Sequence, residues 1–494
     1  MSPPQHGRAV HHSRERRWPV LAVVAAVIVI VGIVAGTRGS PTPASALAVP
    51  AALVSPPDAE SSSWYCTGQT TGSGAAAGFL VLSNTTARAQ TADITTVSDS
   101  GAQVHTAIDV PARGVTAPSL PSVSSGSWQA DTVTVAGGGV AVSQVVHGST
   151  GWAEAPCQSS TSADWYFPDG STVQQNTLSV SLLNPTSSPV VVDLSFETPG
   201  GVVQPINYQG IVLAPGAVQA EDVESVVQQA AQVSTVVTAR TGRVVASELQ
   251  TYVGASAGLA LVPGLTQPEP HWAIPQAEEV AQGASEIDVF NPGSVPEQAT
   301  VHLRLASGPL SPLTDTVAPG TTWSLDTSQQ TRIPAGALYS AEVDATGGPG
   351  VVVSRSVQAP GSASAPQNGL ATAVDGLTTV TPTSEWLVPP PGTSDNPAVS
   401  GAAPHTLAVV NLSRAKETFS AYAVTPGRQH LVASGVLEPG ANGLVPGSAL
   451  ANTGFDPIVV RGTGPMGVSE DLAPSGMVGA VTMPGIPLAA PIGL

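Results

Sequence analysis

The stretch that decides the fold reads Trp165-Tyr-Phe-Pro-Asp-Gly-Ser-Thr172 and then Leu178-Ser-Val-Ser-Leu-Leu-Asn-Pro185. Leu178, Val180 and Leu182 alternate with serines, and a period of two is typical of a β-strand with one buried face. The same order, a tryptophan and then an apolar strand that ends in asparagine, occurs four times. The four pairs are Trp64 and Asn84, Trp165 and Asn184, Trp272 and Asn291, and Trp386 and Asn411.

Two further landmarks keep their order and spacing in every copy. A turn glycine lies 29 to 32 residues after the asparagine, and a serine in a valine-rich strand lies 29 to 34 residues after the glycine. The glycines are Gly114, Gly216, Gly320 and Gly440, and the serines are Ser143, Ser247, Ser354 and Ser469. Successive tryptophans are 101, 107 and 114 residues apart. Solenoid units and propeller blades run roughly 20 to 50 residues, so a period near 100 indicates a complete β-sandwich.

The predicted fold is therefore all-β, a tandem array of about four β-sandwich repeats after one N-terminal transmembrane helix. We expect each copy to form a separate core. The predicted segments are a cytoplasmic basic tail (1–17), a transmembrane helix (18–37), a Pro/Ser-rich linker (38–63), and β-sandwiches at 64–162, 163–264, 265–361 and 362–494, the last with a long loop before its strands and a C-terminal tail.

Residues 18–37 predict contact with a lipid bilayer. Seventeen uncharged, mostly branched residues run from Val20 to Gly36 and follow four arginines in residues 1–17. This length is at the short end of a membrane span, and the basic flank is expected to remain cytoplasmic. A cleaved signal peptide is the competing interpretation, because Ala44-Ser-Ala46 offers an Ala-x-Ala site. The favoured prediction is a signal anchor in the cell membrane, and in both cases the rest of the chain is extracytoplasmic.

The two cysteines, Cys66 and Cys157, both fall in the first copy. In an exported protein they are expected to form a disulfide bond, which by the chain-entropy model stabilises the fold by roughly 4 to 5 kcal/mol. Two buried free thiols are the alternative. Their wide separation, with no clustered histidine, argues against a zinc site.

Composition favours short strands and excludes one class of partner. The chain has 51 glycines and 46 prolines, which interrupt helices but sit well between strands. Beyond residue 40 there are 11 basic and 33 acidic residues, a net charge of −22. Nucleic-acid binding needs basic side chains to neutralise phosphates, so no nucleic-acid partner is expected.

Two short motifs suggest chemistry but have the wrong context. Gly254-Ala-Ser256-Ala-Gly258 matches the nucleophile elbow of serine hydrolases, yet no helical pattern follows it. Gly462-Thr-Gly464-Pro-Met-Gly467 matches a dinucleotide-binding loop, but Pro465 would disturb the helix start. Its position in the repeat predicts a hairpin turn before the valine-rich strand. No catalytic, cofactor-binding or metal-binding residues are predicted, and no cofactor.

The remaining candidate residues have structural interpretations. Asn184 and Asn291 are expected to cap strand ends through bonds to the backbone. One short helix is expected between Glu221 and Gln232, where apolar residues have helical spacing. Six histidines are scattered with none at metal-ligand spacing, and three acidic pairs are expected to be solvated. The histidines are His105, His147, His271, His302, His405 and His430, and the acidic pairs are Glu221-Asp222, Glu278-Glu279 and Glu470-Asp471.

The wording Trp-Tyr-Phe-x-x-Gly-Ser-Thr, then Leu-Leu-Asn-Pro, a Pro-Gly turn and a Val-Val-Ala/Val-Ser strand resembles the immunoglobulin-like repeats of large bacterial surface proteins. The basic tail, single anchor and Trp64-Tyr-Cys66 opening also resemble a family of actinobacterial membrane-anchored envelope proteins of unknown function. The resemblance covers residues 18 to about 480 and implies immunoglobulin-like sandwiches in the cell envelope. Copies 3 and 4 lack the tyrosine and the Gly-Ser-Thr.

These observations give three hypotheses of function. The first is a non-enzymatic scaffold, spacer or interaction module anchored in the envelope, with an envelope protein as partner. The second is a glycan-binding β-sandwich protein, although glycan sites generally need exposed aromatic side chains. The third is a secreted serine hydrolase that uses Ser256.

Overall fold

The computed structural model describes residues 52–71, 76–118, 120, 123, 125–278, 283–334, 336–360, 370–378, 383–392, 405–426, 428–451, 453–472 and 481–489. Regular structure in these residues is almost entirely β, which confirms the predicted all-β class. Residues 48–494 form one compact unit. The predicted transmembrane segment 18–37 lies outside the described residues, and within them no helix has the length and apolarity needed to cross a membrane.

The first two repeats contain strands β1 to β17. Those of repeat 1 are β1 (Ser62–Thr70), β2 (Ala77–Asn84), β3 (Gln90–Ser98), β4 (Gln103–Val110), β5 (Gly114–Thr116), β6 (Trp128–Val135), β7 (Val140–His147) and β8 (Trp152–Pro156). Those of repeat 2 are β9 (Asp164–Phe167), β10 (Thr177–Leu183), β11 (Val190–Thr198), β12 (Gly201–Val203), β13 (Ile211–Leu213), β14 (Val218–Asp222), β15 (Ser234–Thr241), β16 (Val245–Tyr252) and β17 (Gly258–Val262).

The last two repeats contain strands β18 to β36. Those of repeat 3 are β18 (His271–Glu278), β19 (Ala284–Asn291), β20 (Glu297–Leu305), β21 (Gly308–Pro309), β22 (Leu313–Val317), β23 (Thr321–Asp326), β24 (Leu338–Thr346), β25 (Val352–Ala359), β26 (Leu370–Asp375) and β27 (Leu377–Thr378). Those of repeat 4 are β28 (Glu385–Val388), β29 (His405–Asn411), β30 (Glu417–Thr425), β31 (Arg428–Leu437), β32 (Asn442–Val445), β33 (Ile458–Gly462), β34 (Met466–Leu472), β35 (Val481–Pro484) and β36 (Ile486–Pro487).

Within the described residues, helical structure is confined to single turns. The one α-helical turn, α1, spans Gly447–Leu450, and 3-10 turns span Ile206–Tyr208, Val223–Ser225, Gly254–Ser256 and Thr327–Gln329. The predicted helix between Glu221 and Gln232 is wrong beyond its first turn. Val223 and Val227 are buried as the spacing required, but Gln229 has φ 55°, in the left-handed region that a helix cannot continue through.

Every repeat has the same two antiparallel sheets. The Trp sheet contains the strand with the landmark tryptophan, and its orders are β4-β3-β6-β1, β12-β11-β15-β9, β21-β20-β24-β18 and β31-β30-β33-β28. The Asn sheet contains the strand that ends at the landmark asparagine, and its orders are β5-β2-β7-β8, β14-β10-β16-β17, β23-β19-β25-β26 and β32-β29-β34-β35. In repeat 1 a parallel contact of Thr70 with Ala77 joins the two sheets. The fourfold repeat read from the landmarks is thus a repeat of topology.

The landmark side chains hold each sandwich together from inside. Trp165 is fully buried, and its indole nitrogen donates to the carbonyl oxygen of Val244 at 3.0 Å. Asn184 fixes the corner after β10, because its Nδ2 donates to the Ser188 oxygen at 2.8 Å and its Oδ1 accepts from the Thr186 nitrogen at 3.0 Å. The same pair of bonds is made by Asn84, Asn291 and Asn411. The predicted capping role of Asn184 and Asn291 is confirmed.

The turns that directly precede the valine-rich strands β7, β16, β25 and β34 are not the predicted hairpins. The chain passes there from the Trp sheet to the Asn sheet, as from β33 to β34, so the turn is a crossover and the predicted hairpin is wrong. Gly462–Gly467 is one of these four crossovers. A hairpin does join β11 to β12, with Thr198 opposite Gly201.

The four sandwiches form a closed ring. The last strands of the Asn sheets, β8, β17, β26 and β35, pack in cyclic order, β8 against β17, β17 against β26, β26 against β35 and β35 against β8. Neighbouring repeats also share apolar clusters, such as Leu249 and Leu261 with Val146 and Ala153 between repeats 2 and 1. Repeats 2, 3 and 4 each have an apolar cluster made almost entirely of their own residues. Strands such as β16 are buried along their whole length, so the Asn sheets also bury a second face between repeats.

A clasp near the two ends of the described chain closes the ring. Val54 is 1% exposed and pairs in parallel with Leu488. Its nitrogen donates to the Pro487 oxygen at 3.0 Å, and its oxygen accepts from the Ala489 nitrogen at 3.0 Å. Val54 and Leu488 lie in one apolar cluster with Leu387 of repeat 4 and Ala141 of repeat 1. The linker predicted to run through residue 63 is thus packed into the fold from at least residue 53.

The strands correct one other boundary. Repeat 3 continues past the predicted residue 361, since β26 pairs along β25 and β27 pairs with β18.

Cys66 and Cys157 form the expected disulfide bond across repeat 1. It ties β1 to the segment that follows β8.

Candidate functional site

A cleft of about 580 Å³ lies between the Trp sheet of repeat 3 and two loops of repeat 4. Its volume is in the range of small-molecule sites, which occur preferentially at boundaries between domains. Its lining residues fall into polar and apolar groups. The polar ones are His271, His302, Arg304, Ser340, Glu342, Asp344, Ser413 and Arg414, and the others are Trp272, Leu303, Pro309, Leu310, Leu412, Pro439 and Gly440.

One wall is the outer face of three neighbouring strands, β20, β24 and β18. Antiparallel register places His271 opposite Asp344, and His302 opposite Glu342. The next pair along the face is Arg304 with Ser340. Because every second residue of a strand points to the same face, these side chains form three adjacent cross-strand rows.

Asp344 links the two imidazoles of this wall. His271 Nδ1 lies 2.6 Å from Asp344 Oδ1, and His302 Nε2 lies 3.2 Å from Asp344 Oδ2. All three side chains are 44% to 55% exposed, so they remain accessible to a ligand. Two imidazoles fixed by one carboxylate present a row of oriented hydrogen-bonding groups.

Glu342 is the most enclosed acid of the cleft. Burial raises its pKa above the ordinary value, and the charge of Asp344 raises it further, while His302 and Arg304 oppose the shift. Glu342 can therefore take up a proton more readily than a free glutamate. It offers a hydrogen-bond acceptor when ionised and a donor when protonated.

The opposite wall is the loop that follows β29 and carries Arg414. Asn411 shapes this loop, since its Nδ2 donates to the Ala415 oxygen at 2.7 Å and its Oδ1 accepts from the Ser413 nitrogen at 2.8 Å. Gly440 approaches Asn411 from the second loop, with its nitrogen 3.0 Å from the Asn411 oxygen. The landmark asparagine thus positions an exposed guanidinium over the histidine face.

The apolar part of the lining is built on Trp272. This side chain is 2% exposed, and its indole nitrogen donates to the oxygens of Val351 at 2.8 Å and Glu269 at 3.1 Å. Its hydrogen-bonding capacity is therefore used inside repeat 3. Leu303 and Leu310 add further apolar surface. The cleft combines apolar contact with donors and acceptors on both sides, which suits a ligand that carries both kinds of surface.

The structure assembles residues that the sequence left apart. His271 and His302, predicted to be scattered, meet at Asp344, whereas His105, His147 and His430 do not line the cleft. Glu342, Asp344 and Arg414 were not singled out by sequence. The only signal was the alternation in Val301–Leu305, which places His302 and Arg304 on the exterior face, as observed.

The other candidate residues do not form a reactive site with the cleft. Ser256 ends the 3-10 turn Gly254–Ser256, and strand β17 follows it where a nucleophile elbow requires a helix. Across the part of the chain that the structure describes, no group of three or more His, Cys, Asp or Glu side chains is arranged to hold a metal ion.

A second concentration of titratable groups is enclosed at the boundary of repeats 2 and 3. Asp169 and Glu248 belong to repeat 2, and Asp288 and Asp375 to repeat 3. Asp169 lies close enough to Asp288 for its charge to raise the pKa of the Asp288 carboxyl. Ser324 Oγ donates to Asp288 Oδ1 at 2.5 Å.

Burial governs the protonation of this acid cluster. It raises the pKa of Asp169 to about 7, with the charge of Glu286 adding to the shift, and that of Asp375 to about 8. The pKa values of Glu248 and Asp288 also lie well above their ordinary range, again first because of burial. A carboxyl without a nearby cation stays neutral when it is taken out of water.

Glu221 and Glu470, from two of the acidic pairs predicted to be solvated, are both buried, and Glu221 is 9% exposed. The third pair includes Glu279, which lies outside the described residues. Glu470 is 3% exposed on β34, and burial raises its pKa well above the ordinary value, with the charge of Glu154 on β8 adding to the shift. Burial likewise raises the pKa of Glu154 to about 8. The prediction was wrong for Glu470 because its strand faces the neighbouring repeat across the ring.

Two solved structures are similar to the chain. The chain has no match among curated proteins. It is similar to a crystal structure of a Thermotoga maritima protein (14% identity, TM-score 0.20, 22% of this chain and 95% of that chain). It is also similar to a tetra-tandem repeat in the extending region of a large adhesion protein (12% identity, TM-score 0.12, 86% of this chain and 99% of that chain).

The family comparison concerns the middle of the chain. Repeat 2 and most of repeat 3 contribute the acid cluster and the histidine face of the cleft. Residues 148–376, which contain both, match the model of a family of unknown function (DUF5719).

Proposed function

We propose that the protein is a non-enzymatic, membrane-anchored extracytoplasmic envelope protein that acts as an interaction module. The observation that carries this proposal is the cleft between repeats 3 and 4, an open site with oriented polar groups on a rigid ring. A ring whose first and last repeats are clasped together favours an interaction module over an extended spacer. The disulfide bond of repeat 1 supports an extracytoplasmic location, because disulfides persist in oxidising compartments.

The anchor and the orientation are proposed from the N-terminal sequence. Four arginines precede the apolar segment 18–37, which supports a cytoplasmic N-terminus and an exported ring. Protease treatment of intact cells checks this orientation. The ring should be degraded from outside while an epitope placed at residue 1 survives. Recovery of the ring in the soluble cytoplasm would contradict the proposal.

Crosslinking tests the interaction role. A photoreactive amino acid introduced at Arg414 is expected to capture an envelope component, and the same group at Arg332, which is exposed in repeat 3 outside the cleft, is the matched control. Equal products from both positions would reject the cleft as the contact. Labelling by a fluorophosphonate probe that Ser256→Ala abolishes would instead favour a serine hydrolase.

The second candidate function is glycan binding. The mixture of carboxylates, guanidinium groups and apolar side chains in the cleft favours it, because a saccharide presents hydroxyl groups and C–H faces together. No tryptophan, tyrosine or phenylalanine among the described residues is exposed, so contact with the C–H face of a sugar would come from the apolar side chains of the cleft. Binding of the full-length chain to a glycan array tests it, with Asp344→Ala as the variant expected to lose the signal.

A further inference from the structure

We propose that the cleft between repeats 3 and 4 binds an acidic saccharide, a sugar chain whose carboxylate is held by Arg304 and Arg414. This inference rests on the glycan-binding candidate above and specifies the class of glycan.

The first argument is the placement of cations in an acidic protein. Beyond residue 40 the chain carries 11 basic and 33 acidic residues, yet two of those arginines and two of the six histidines line this one cleft. These two guanidinium groups share the cleft with two carboxylates, Glu342 and Asp344, so its formal charge is balanced in a chain that is strongly acidic. A single negative group on a ligand therefore meets less repulsion in the cleft than the net charge of the chain implies.

The second argument is the state of these arginines. Among the described residues, three of the other basic side chains form ion pairs, Arg240 with Asp193 at 2.5 Å, Lys416 with Glu438 at 2.7 Å and Arg461 with Glu385 at 3.0 Å. Among the described residues, neither Arg304 nor Arg414 has a carboxylate at ion-pair distance. Guanidinium groups bind carboxylates through two parallel hydrogen bonds, so an unpaired pair on opposite walls is suited to a carboxylated ligand.

The third argument concerns the rest of the ligand. Asp344 and Glu342 lie beside the arginines and accept hydrogen bonds, which a simple anion cannot supply. They would repel a small inorganic anion but accept from sugar hydroxyls. Leu303 and Leu310 give the apolar surface on which the C–H face of a sugar ring packs. The lining therefore favours a carboxylate attached to a polyhydroxylated ring over phosphate or acetate alone.

The test is calorimetric titration of the full-length chain in detergent micelles with tetragalacturonic acid. Its fully methyl-esterified form is the matched neutral ligand, since it keeps the sugar rings and removes the charge. We expect the acid to bind at least tenfold more tightly than the ester. Arg304→Gln and Arg414→Gln are each expected to weaken binding of the acid at least tenfold, while Arg332→Gln, the same charge change outside the cleft, leaves it unchanged.

Each outcome decides a different claim. Equal affinity for acid and ester, or no effect of Arg414→Gln, overturns the acidic class and leaves glycan binding standing. Absence of binding by both forms overturns the inference, and with a negative glycan array it rejects the glycan-binding candidate as well. Displacement by equimolar acetate or inorganic phosphate would show a simple anion site and overturn the saccharide. Arg304→Lys and Arg414→Lys, which retain the charge, should recover part of the affinity if the loss reflects charge and not misfolding.

Discussion

The boundary between repeats 2 and 3 has the same glycine–glutamate contact as the boundary between repeats 3 and 4. The first boundary is closed, whereas the second contains the cleft. In each, the turn glycine of the later repeat abuts a glutamate on the Trp sheet of the earlier one. A Cβ atom on Gly320 would lie 3.5 Å from Glu197 Oε2, and one on Gly440 would lie 3.4 Å from Glu342 Oε1. Both glycines have positive φ, 64° and 66°, so their turns are alike.

The difference lies in the side chains around that shared contact. Between repeats 2 and 3, Tyr166, Val236 and Leu265 pack against the core of repeat 3, and the acid cluster is enclosed. Between repeats 3 and 4, the facing surfaces carry histidines and arginines and leave an open cleft. Copies of one repeat can therefore form either a closed boundary or an open cleft, depending on a few side chains on one sheet face.

The largest effect on stability is expected for the landmark tryptophans. It tests whether these side chains pack inside the sandwich cores or line the boundaries between repeats. Trp272→Ala should lower the free energy of unfolding by about 3 to 5 kcal/mol, because it removes a buried ring from the core. Trp165→Ala, its counterpart in repeat 2, should lose a similar amount in denaturant titrations. A much smaller loss for Trp272→Ala would place this side chain in the cleft and not in the core.

A third boundary, between repeats 4 and 1, tests the closure of the ring. Val54→Asp places a charge in the apolar clasp and is expected to cost about 2 to 4 kcal/mol, because an unpaired buried charge is strongly destabilising. Limited proteolysis should then cut near residue 489 while repeats 2 and 3 stay resistant. Val212→Asp, a matched change at a 64% exposed valine, should have little effect. Uniform loss of resistance in all repeats would contradict a local clasp.

The pH dependence of stability tests the enclosed acid cluster between repeats 2 and 3. The carboxyl pKa values of Asp169 and Asp375 are raised from 3.8 to about 7 and about 8, so the folded state holds protons that the unfolded state releases. Their contribution is fully present below about pH 4 and is lost as the pH rises towards 8. The melting temperature should therefore fall between pH 5 and 8.5.

Asparagine substitutions assign this pH effect. Asp288→Asn should raise the melting temperature at pH 8.5 and flatten the pH profile, because it removes a carboxyl that would ionise in an enclosed site. Asp344→Asn in the cleft should not stabilise the protein, since that carboxylate is exposed and paired with two imidazoles. An unchanged profile in Asp288→Asn would show that the acid cluster does not control stability.

The smallest effect on stability is expected at the cleft between repeats 3 and 4. Arg414→Gln should change the free energy of unfolding by less than about 0.5 kcal/mol, as is usual for exposed residues outside special contacts. Thermal melts of this variant and of Arg332→Gln should coincide. A large loss in Arg414→Gln alone would mean that the loop over the cleft is part of the structural joint.

Much of each single repeat could be predicted from sequence. The alternation of Leu178, Val180 and Leu182 gives β10 its buried face, and the spacing of tryptophan, asparagine, glycine and serine marks equivalent strands. Asn184 was assigned to strand capping because its side chain bonds to nearby backbone. The prediction failed where long-range pairing decides, as at the crossover turns and at β26 beyond residue 361.

The sequence by itself determined the all-β class, the fourfold unit and the pairing of Cys66 with Cys157, since these depend on local periodicity and on a choice among two cysteines. Tertiary structure alone decided that the four units close into a ring, that carboxyls as distant in sequence as Asp169 and Asp375 share one enclosed site, and that Arg414 lines the same cleft as His302. The physical reason is that strand periodicity specifies which face is buried, but not which surface covers it. That choice depends on the shapes and charges of two sheet faces hundreds of residues apart.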